Sequence, residues 1–424
     1  MDCIVDRIVG EGAQGEVYRA HLGERTIALK WYFPQMATAE QRISIENLVR
    51  KGPPSDRFLW PMELASSGDV PGFGYIMLFR DNRFRGLVDL MKRRIDPGFR
   101  ALATAGFELA NSFLQLHSKG LCYRDISFSN LFLDPATGEI LICDNDNVTI
   151  DGDPRAGILG TPRFMAPELV RGEALPSIQT DLFSLAILLF YLFMIHHPLE
   201  GRREISIHSF DLRAMVQLYG TGPVFIFDPD DRSNEAVPGY HDNAIESWAI
   251  YPAFLQELFT KAFTGGIHDP SSGRVRESEW RAAMIRLRDS ILYCQHCGTE
   301  NFFDASGLTH SPGSAGACWS CRKWIQFPFR IIIRRSVVLL NHDTRLYPHH
   351  VDERRMYDFS EPVAEVTRHP QQAHIWGLKN LSDMSWYCQT ANDADAVEVP
   401  PGRSVALADG TRIRFGKSEG EIRL

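Results

Sequence analysis

The chain has 424 residues, 44% apolar and 23% charged, which excludes disorder and collagen-like repeats and allows two or three domains with full cores. Its net charge is −8, with the acidic excess before residue 294 and a balanced remainder, so neither part has the basic surplus that nucleic-acid binding requires. The longest strongly apolar stretch, Leu185–Ile195, falls short of the ~20 residues a spanning helix needs, and the start MDCIVDRIVGEG lacks a signal's basic head and apolar middle; no membrane and a cytoplasmic location are expected.

Three stretches differ in texture. Residues 1–293 open with alternating, Gly-punctuated runs and then turn helical, with 3.6-residue periodicity at Phe99–Ser118 and Thr180–Ile195. The second of these is apolar nearly all round, which at its length predicts a buried central post. Residues 294–324 are rich in Cys, Gly and Ser and too short for a core of their own. Residues 325–424 return to β patterns, with Ile331-Ile332-Ile333, Val337–Leu340, and alternation on both sides of Asp409-Gly410. That Asp-Gly pair predicts a hairpin.

The first motif is Gly10-Glu11-Gly12-Ala13-Gln14-Gly15-Glu16-Val17-Tyr18. Gly10, Gly12 and Gly15 let a backbone lie close over phosphates where a Cβ would intrude. A dinucleotide-binding turn uses the same letters but opens a helix; here Val17 and Tyr18 continue as a strand. Ala28-Leu29-Lys30 follows on the next strand and places one cation within reach of ATP phosphates. An ammonium on a flexible stem needs an anionic anchor. Of the two carboxylates on the helical segment Ala37–Arg50, Glu46 is preferred over Glu40, because it lies among Ile45, Leu48 and Val49.

Tyr123-Arg124-Asp125-Ile126-Ser127-Phe128-Ser129-Asn130 comes next. Asp125 offers a carboxylate to a substrate hydroxyl, and Asn130 an amide oxygen to a metal. The apolar run Ile140–Cys143 reads as a short buried strand that ends at Asp144, where a carboxylate can hold Mg2+ against phosphate oxygens.

This ordered set resembles the eukaryotic-type protein kinase family as it occurs in bacteria. The resemblance implies a bilobal α+β fold over residues 1–293, with an antiparallel N-lobe (about 1–79) and a helical C-lobe (about 80–293). It also implies ATP- and Mg2+-dependent transfer to a protein Ser or Thr hydroxyl. Asp125 would be the catalytic aspartate, Asn130 and Asp144 the metal ligands, and Asp144 the first residue of the D-F-G element. Met165-Ala166-Pro167-Glu168 corresponds to the A-P-E element, Asp181 to the aspartate of the buried helix, and Arg274 to the usual partner of Glu168. Val17, Ala28 and Phe132 would enclose adenine, with Met77 as gatekeeper and the backbone near Phe79 meeting the base. Thr161 would contact the catalytic loop, which leaves Thr149 as the possible phosphosite. The sequence departs from the family at Tyr123 (usually His), Ser127 (usually Lys), and Asn145-Asp146 in place of Phe-Gly. Asp146 is a second carboxylate that either binds metal or reshapes the turn.

Of the eight cysteines, Cys294, Cys297, Cys318 and Cys321 form two C-x2-C pairs that resemble a structural zinc ribbon, with four thiolates for Zn2+. Segments within 365–370, 376–382 and 410–416 resemble a forkhead-associated β-sandwich, so residues 325–424 are expected to be an all-β docking domain. No S-x-x-H or N-G element is in place for phosphothreonine reading. The whole architecture resembles kinases encoded with von Willebrand A-type and 2C-type phosphatase partners. Two rivals remain: a pseudokinase that binds nucleotide without transfer, and a nucleic-acid adaptor built on the zinc ribbon.

Overall fold

The computed structural model describes residues 2–153, 160–303, 314–372, 374–391 and 395–424. The chain divides into two compact units, Met1–Ile285 and Arg286–Leu424.

The first unit begins with five antiparallel strands, β1 (Cys3–Glu11), β2 (Gly15–Leu22), β3 (Arg25–Tyr32), β4 (Glu63–Ala65) and β5 (Gly74–Leu78), in the order β1-β2-β3-β5-β4. The β1–β2 turn carries the glycines. At Gly15 a Cβ would stand 2.2 Å from the Trp31 carbonyl oxygen, so only glycine lets β2 lie this close to β3. Between β3 and β4 runs helix α1 (Ala39–Lys51). Its start is fixed by Thr38, whose hydroxyl accepts from the Gln41 N–H, and its end by Gly52 at φ 69°. Leu59 N–H donates to Ile142 O and Ile142 N–H to Arg57 O, which ties the segment after α1 to the hairpin Leu131–Leu133/Ile140–Ile142 and so aims Asp144.

The helical half is built on Ile178–Met194, in which every residue from Thr180 to Met194 is buried. Ser177 and Thr180 form a capping box at its start, and Ile195 in the left-handed region ends it. Phe190 meets Phe225, Phe259 and Phe263 at ring separations of 5.1–5.8 Å. Near the N-terminus of this post, Asp181 accepts hydrogen bonds from the backbone N–H groups of Tyr123 (2.5 Å) and Arg124 (3.1 Å). His117, at the end of helix Phe99–Ser118, is held between Asp181 and Glu277. No described helix is long and apolar enough to cross a membrane.

In the second unit, strand Ile291–Tyr293 pairs with Glu300–Phe302, and Ser314–Ala317 with Trp324–Gln326. Beyond them stands a β-sandwich. One sheet runs Ser336–Leu339, Arg330–Ile333, Ser418–Arg423, Arg412–Phe415, Trp386–Gln389, Val397–Val399; the other runs Arg345–Leu346, Ala364–Arg368, Trp376–Asn380, Ser404–Ala406. Ile331, Leu346, Ala364, Leu378, Trp386, Ile413 and Ile422 share its core.

One expectation changes here. Asp409-Gly410 is not a hairpin turn: Ser404–Ala406 pairs with Trp376–Asn380 in one sheet, while Arg412–Phe415 lies in the other and turns at Gly416-Lys417 to pair with Ser418–Arg423. The alternation on both sides of Asp409 is genuine, but the two strands face the core from opposite sheets. The two units divide within helix Glu277–Asp289. Leu292 packs with Cys294, Phe303, Cys318, Ile325 and Leu339, so the cysteine segment has its core with strands on both sides of it.

Burial pushes the His117 imidazole down, but the Asp181 and Glu277 carboxylates outweigh burial and raise it to about 9. A raised value in the folded state stabilises below the ordinary His value and loses that effect as pH passes the folded one. Wild type is therefore expected to exceed His117→Gln in stability by up to about 3 kcal/mol at pH 6, with the margin disappearing through pH 9. Denaturant melts of both proteins across this range would check it.

Candidate active site

Strand β3 sends Lys30 inward, where it is 6% exposed. Its Nζ lies 2.5 Å from Asp144 Oδ1 and 2.7 Å from Asp146 Oδ2. Burial lowers the Lys30 affinity for its proton, but the two carboxylates more than reverse this. Asp146 is pushed up by burial and held below the usual carboxylate range by Lys30, while Asp144 is raised by burial and by the Asp146 charge beside it. Asp146 Oδ2 also accepts from the Tyr32 hydroxyl at 2.5 Å, and Gln41 on α1 donates to that hydroxyl.

Glu46 is not the anchor of Lys30. Its carboxylate accepts from Arg42 at 3.2 Å and is 41% exposed. The inward face of α1 is set by Ile45 and Leu48, and one residue of helix turns Glu46 about 100° away from that face. Glu40 is exposed as well.

The residues of the Asp125–Asn130 loop gather beside this cluster. Cys143 N–H donates to Asn130 O at 2.9 Å, which sets Asn130 next to the residue before Asp144. Asn130 Nδ2 donates to Asp125 O at 2.9 Å, and Asp125 Oδ1 accepts from the Thr161 hydroxyl at 3.0 Å. Tyr123 fills the usual histidine position, and its hydroxyl donates to Cys143 O. Ser127 is buried, with its hydroxyl 2.7 Å from that of Ser129. Asp144 adopts φ 58°, and Asn145 donates to Leu59 O and Ile142 O, so a polar clamp stands where the family has a phenylalanine. Arg274 donates to both Glu168 oxygens at 2.7 Å.

The remaining expected residues are spread along the N-terminal sheet and the strands after it. Gly10 lies opposite Val17, and Gly12 N–H donates to Gly15 O. Val17 lies opposite Lys30, and Ala28 opposite Met77, both of the latter pair being buried. Phe79 and Phe132 are half-buried, and the Arg80 guanidinium sits 4.0 Å above the Phe132 ring. Thr149 is half-buried in a two-residue strand paired with Leu121–Cys122; Arg124 is not turned to it but donates to Asn147 O at 2.6 Å. Tyr32 and Gln41 were not expected. The signal for Tyr32 was its place two residues beyond Lys30, on the same face of β3.

Asn130 and Asp144 offer oxygen donors of the hard type that Mg2+ takes. In the second unit the four cysteine sulfurs all lie within 4.8 Å of one another. Cys294 to Cys321 is 3.6 Å and Cys297 to Cys318 is 3.7 Å. With Zn–S near ~2.3 Å, the edge of a tetrahedron is ~3.8 Å, so the donor set fits zinc, and these separations are far from a disulfide's ~2 Å. Thr299, through its hydroxyl and its backbone N–H, brings the Cys297 thiol down to about 6.

Residues 85–251 match the protein kinase domain family. The chain is 22% identical to Protein kinase gsk3 of Schizosaccharomyces pombe over 51% of this chain and 56% of that protein. It is 27% identical to Protein kinase MCK1 of Saccharomyces cerevisiae over 37% of this chain and 40% of that protein. It is 34% identical to Serine/threonine-protein kinase RUNKEL of Arabidopsis thaliana over 24% of this chain and 8% of that protein. The chain thus spans about half the length of such relatives, or less. These relatives are eukaryotic, so the resemblance to bacterial kinases gains nothing from them, and neither do the von Willebrand A-type and phosphatase partners. The matched span carries Asp125, Asn130, Asp144, Glu168 and Asp181 and, with these relatives, supports a serine/threonine protein kinase.

Proposed function

We propose that the chain is an ATP- and Mg2+-dependent serine/threonine protein kinase, carrying a zinc-bound cysteine module and a β-sandwich for docking. The observation that carries this reading is the gathering of four residues: Lys30 meets Asp144, Cys143 beside Asp144 donates its N–H to Asn130 O, and Asn130 Nδ2 donates to the Asp125 backbone oxygen. Phosphoryl transfer needs little covalent work from a protein; positioning and charge neutralisation suffice. Lys30 would hold the nucleotide phosphates from the β3 side. Asn130 and Asp144 would hold Mg2+, which supplies neutralisation of phosphate charge. Asp125, oriented by Thr161, would accept the proton of the attacking Ser or Thr hydroxyl as that oxygen bonds to the γ-phosphorus and the bond from the γ-phosphorus to the β–γ bridging oxygen breaks, with ADP as the leaving group. Ser127 cannot supply the cation usual at its position, so Lys30 carries more of the phosphate charge than in the family pattern.

With radiolabelled ATP, the full chain is expected to phosphorylate itself or an added protein. Asp125→Asn should lower the rate by at least ~100-fold with nucleotide binding retained. Nucleotide binding with no transfer by the wild type would favour a pseudokinase scaffold instead.

For the cysteine module, metal analysis is expected to give one zinc per chain. Chelation, or Cys318→Ser, should lower the melting temperature of the second unit and leave the first unit's unchanged. Recovery of Cys294, Cys297, Cys318 and Cys321 as disulfides from the native protein would overturn the zinc assignment.

A further inference from the structure

We infer that Asp146 is the positioning residue that fixes Lys30 for the nucleotide's phosphates, and that α1 reaches Lys30 through a relay, Gln41 to Tyr32 to Asp146. The inference rests on the kinase reading above and assigns within it a role that the sequence pattern gives to a helix carboxylate.

Geometry carries the argument. Both acidic candidates on α1 point to solvent, Glu46 engaged by Arg42 and Glu40 exposed. Asp146 is 2% exposed, and its Oδ2 is 2.7 Å from Lys30 Nζ. Of the two carboxylates on the ammonium, Asp144 keeps 37% of its side chain exposed, within reach of a phosphate or metal that can draw it away. Asp146 cannot follow, because the Tyr32 hydroxyl holds the same oxygen at 2.5 Å and Gln41 Nε2 donates to that hydroxyl at 3.1 Å. Asp146 Oδ1 is buried with no partner among the described residues, so this carboxylate is committed to Lys30 and Tyr32. A buried carboxylate of this kind persists only where its partner is charged and close. Both of the lysine's anchors thus come from one short segment, Asp144-Asn145-Asp146, and α1 contributes an amide rather than a charge.

The test uses the full chain, with ATP affinity read by displacement of a fluorescent ATP analogue, and KM and kcat read separately. Asp146→Asn is expected to weaken ATP binding about tenfold and raise KM for ATP more than it lowers kcat. Glu46→Gln should change either value less than about twofold. Asp146→Asn added to Lys30→Met should weaken binding no further than Lys30→Met alone, because Asp146 acts through the lysine. Tyr32→Phe, which keeps the ring and its packing, should weaken binding about threefold and stands in if Asp146→Asn does not fold. The assignment is overturned if Asp146→Asn or Tyr32→Phe binds ATP like wild type, if the double mutant is weaker than Lys30→Met, or if Glu46→Gln loses as much as Asp146→Asn. A wild type that fails to bind ATP sinks the kinase reading itself, whereas one that binds and transfers unaffected by Asp146→Asn sinks only this assignment.

Discussion

One ammonium between two carboxylates joins the two halves of the first unit. Lys30 comes from the N-terminal sheet, and Asp144 and Asp146 from the turn that follows the hairpin Leu131–Leu133/Ile140–Ile142. Burying Lys30 and Asp146 beside a half-exposed Asp144 is a poor way to gain stability, since desolvation offsets most of the attraction. The cluster also holds more negative than positive charge, with one carboxylate oxygen unpartnered among the described residues.

The loop that carries Asp125 is held from below by the buried post. Asp181 spends its carboxylate on two backbone N–H groups and the His117 ring, so the loop's path is set by main-chain bonds that tolerate side-chain change. That explains how Tyr123 can replace a histidine: its own backbone N–H still reaches Asp181, and its hydroxyl reaches Cys143 O. Asn145 follows the same logic, exchanging an apolar contact for two hydrogen bonds to carbonyls. These two bonds form a polar clamp on the turn between Ile142 and Asp144.

In the second unit the core of the cysteine module takes in Leu339, from strand Ser336–Leu339 of the sandwich, beside Cys294 and Cys318, while the sandwich keeps a core of its own. A metal at the four sulfurs therefore bears on the first sandwich strands as well as on the two knuckles.

Local patterns were legible in the sequence. The glycine turn, Lys30, the Asp125–Asn130 loop, Asp144 and the paired cysteines stand where their spacing placed them, because each spacing is a constraint within one turn, loop or knuckle. The buried post was equally plain, since a run from Leu185 to Ile195 without a charge can only be covered by other side chains. Which carboxylate meets Lys30 was not legible: Glu46 and Ile45 are neighbours in sequence, but helix rotation sends one inward and the other to solvent, and Asp146 arrives from more than a hundred residues away. The Asp409-Gly410 corner misled for a related reason, as alternation reports which faces are apolar and not which strand lies alongside. Sequence alone settled the residue types and their order; the ion-pair partner, the strand pairing and the unit boundary were decided by tertiary packing, because each depends on segments that meet only when the chain folds.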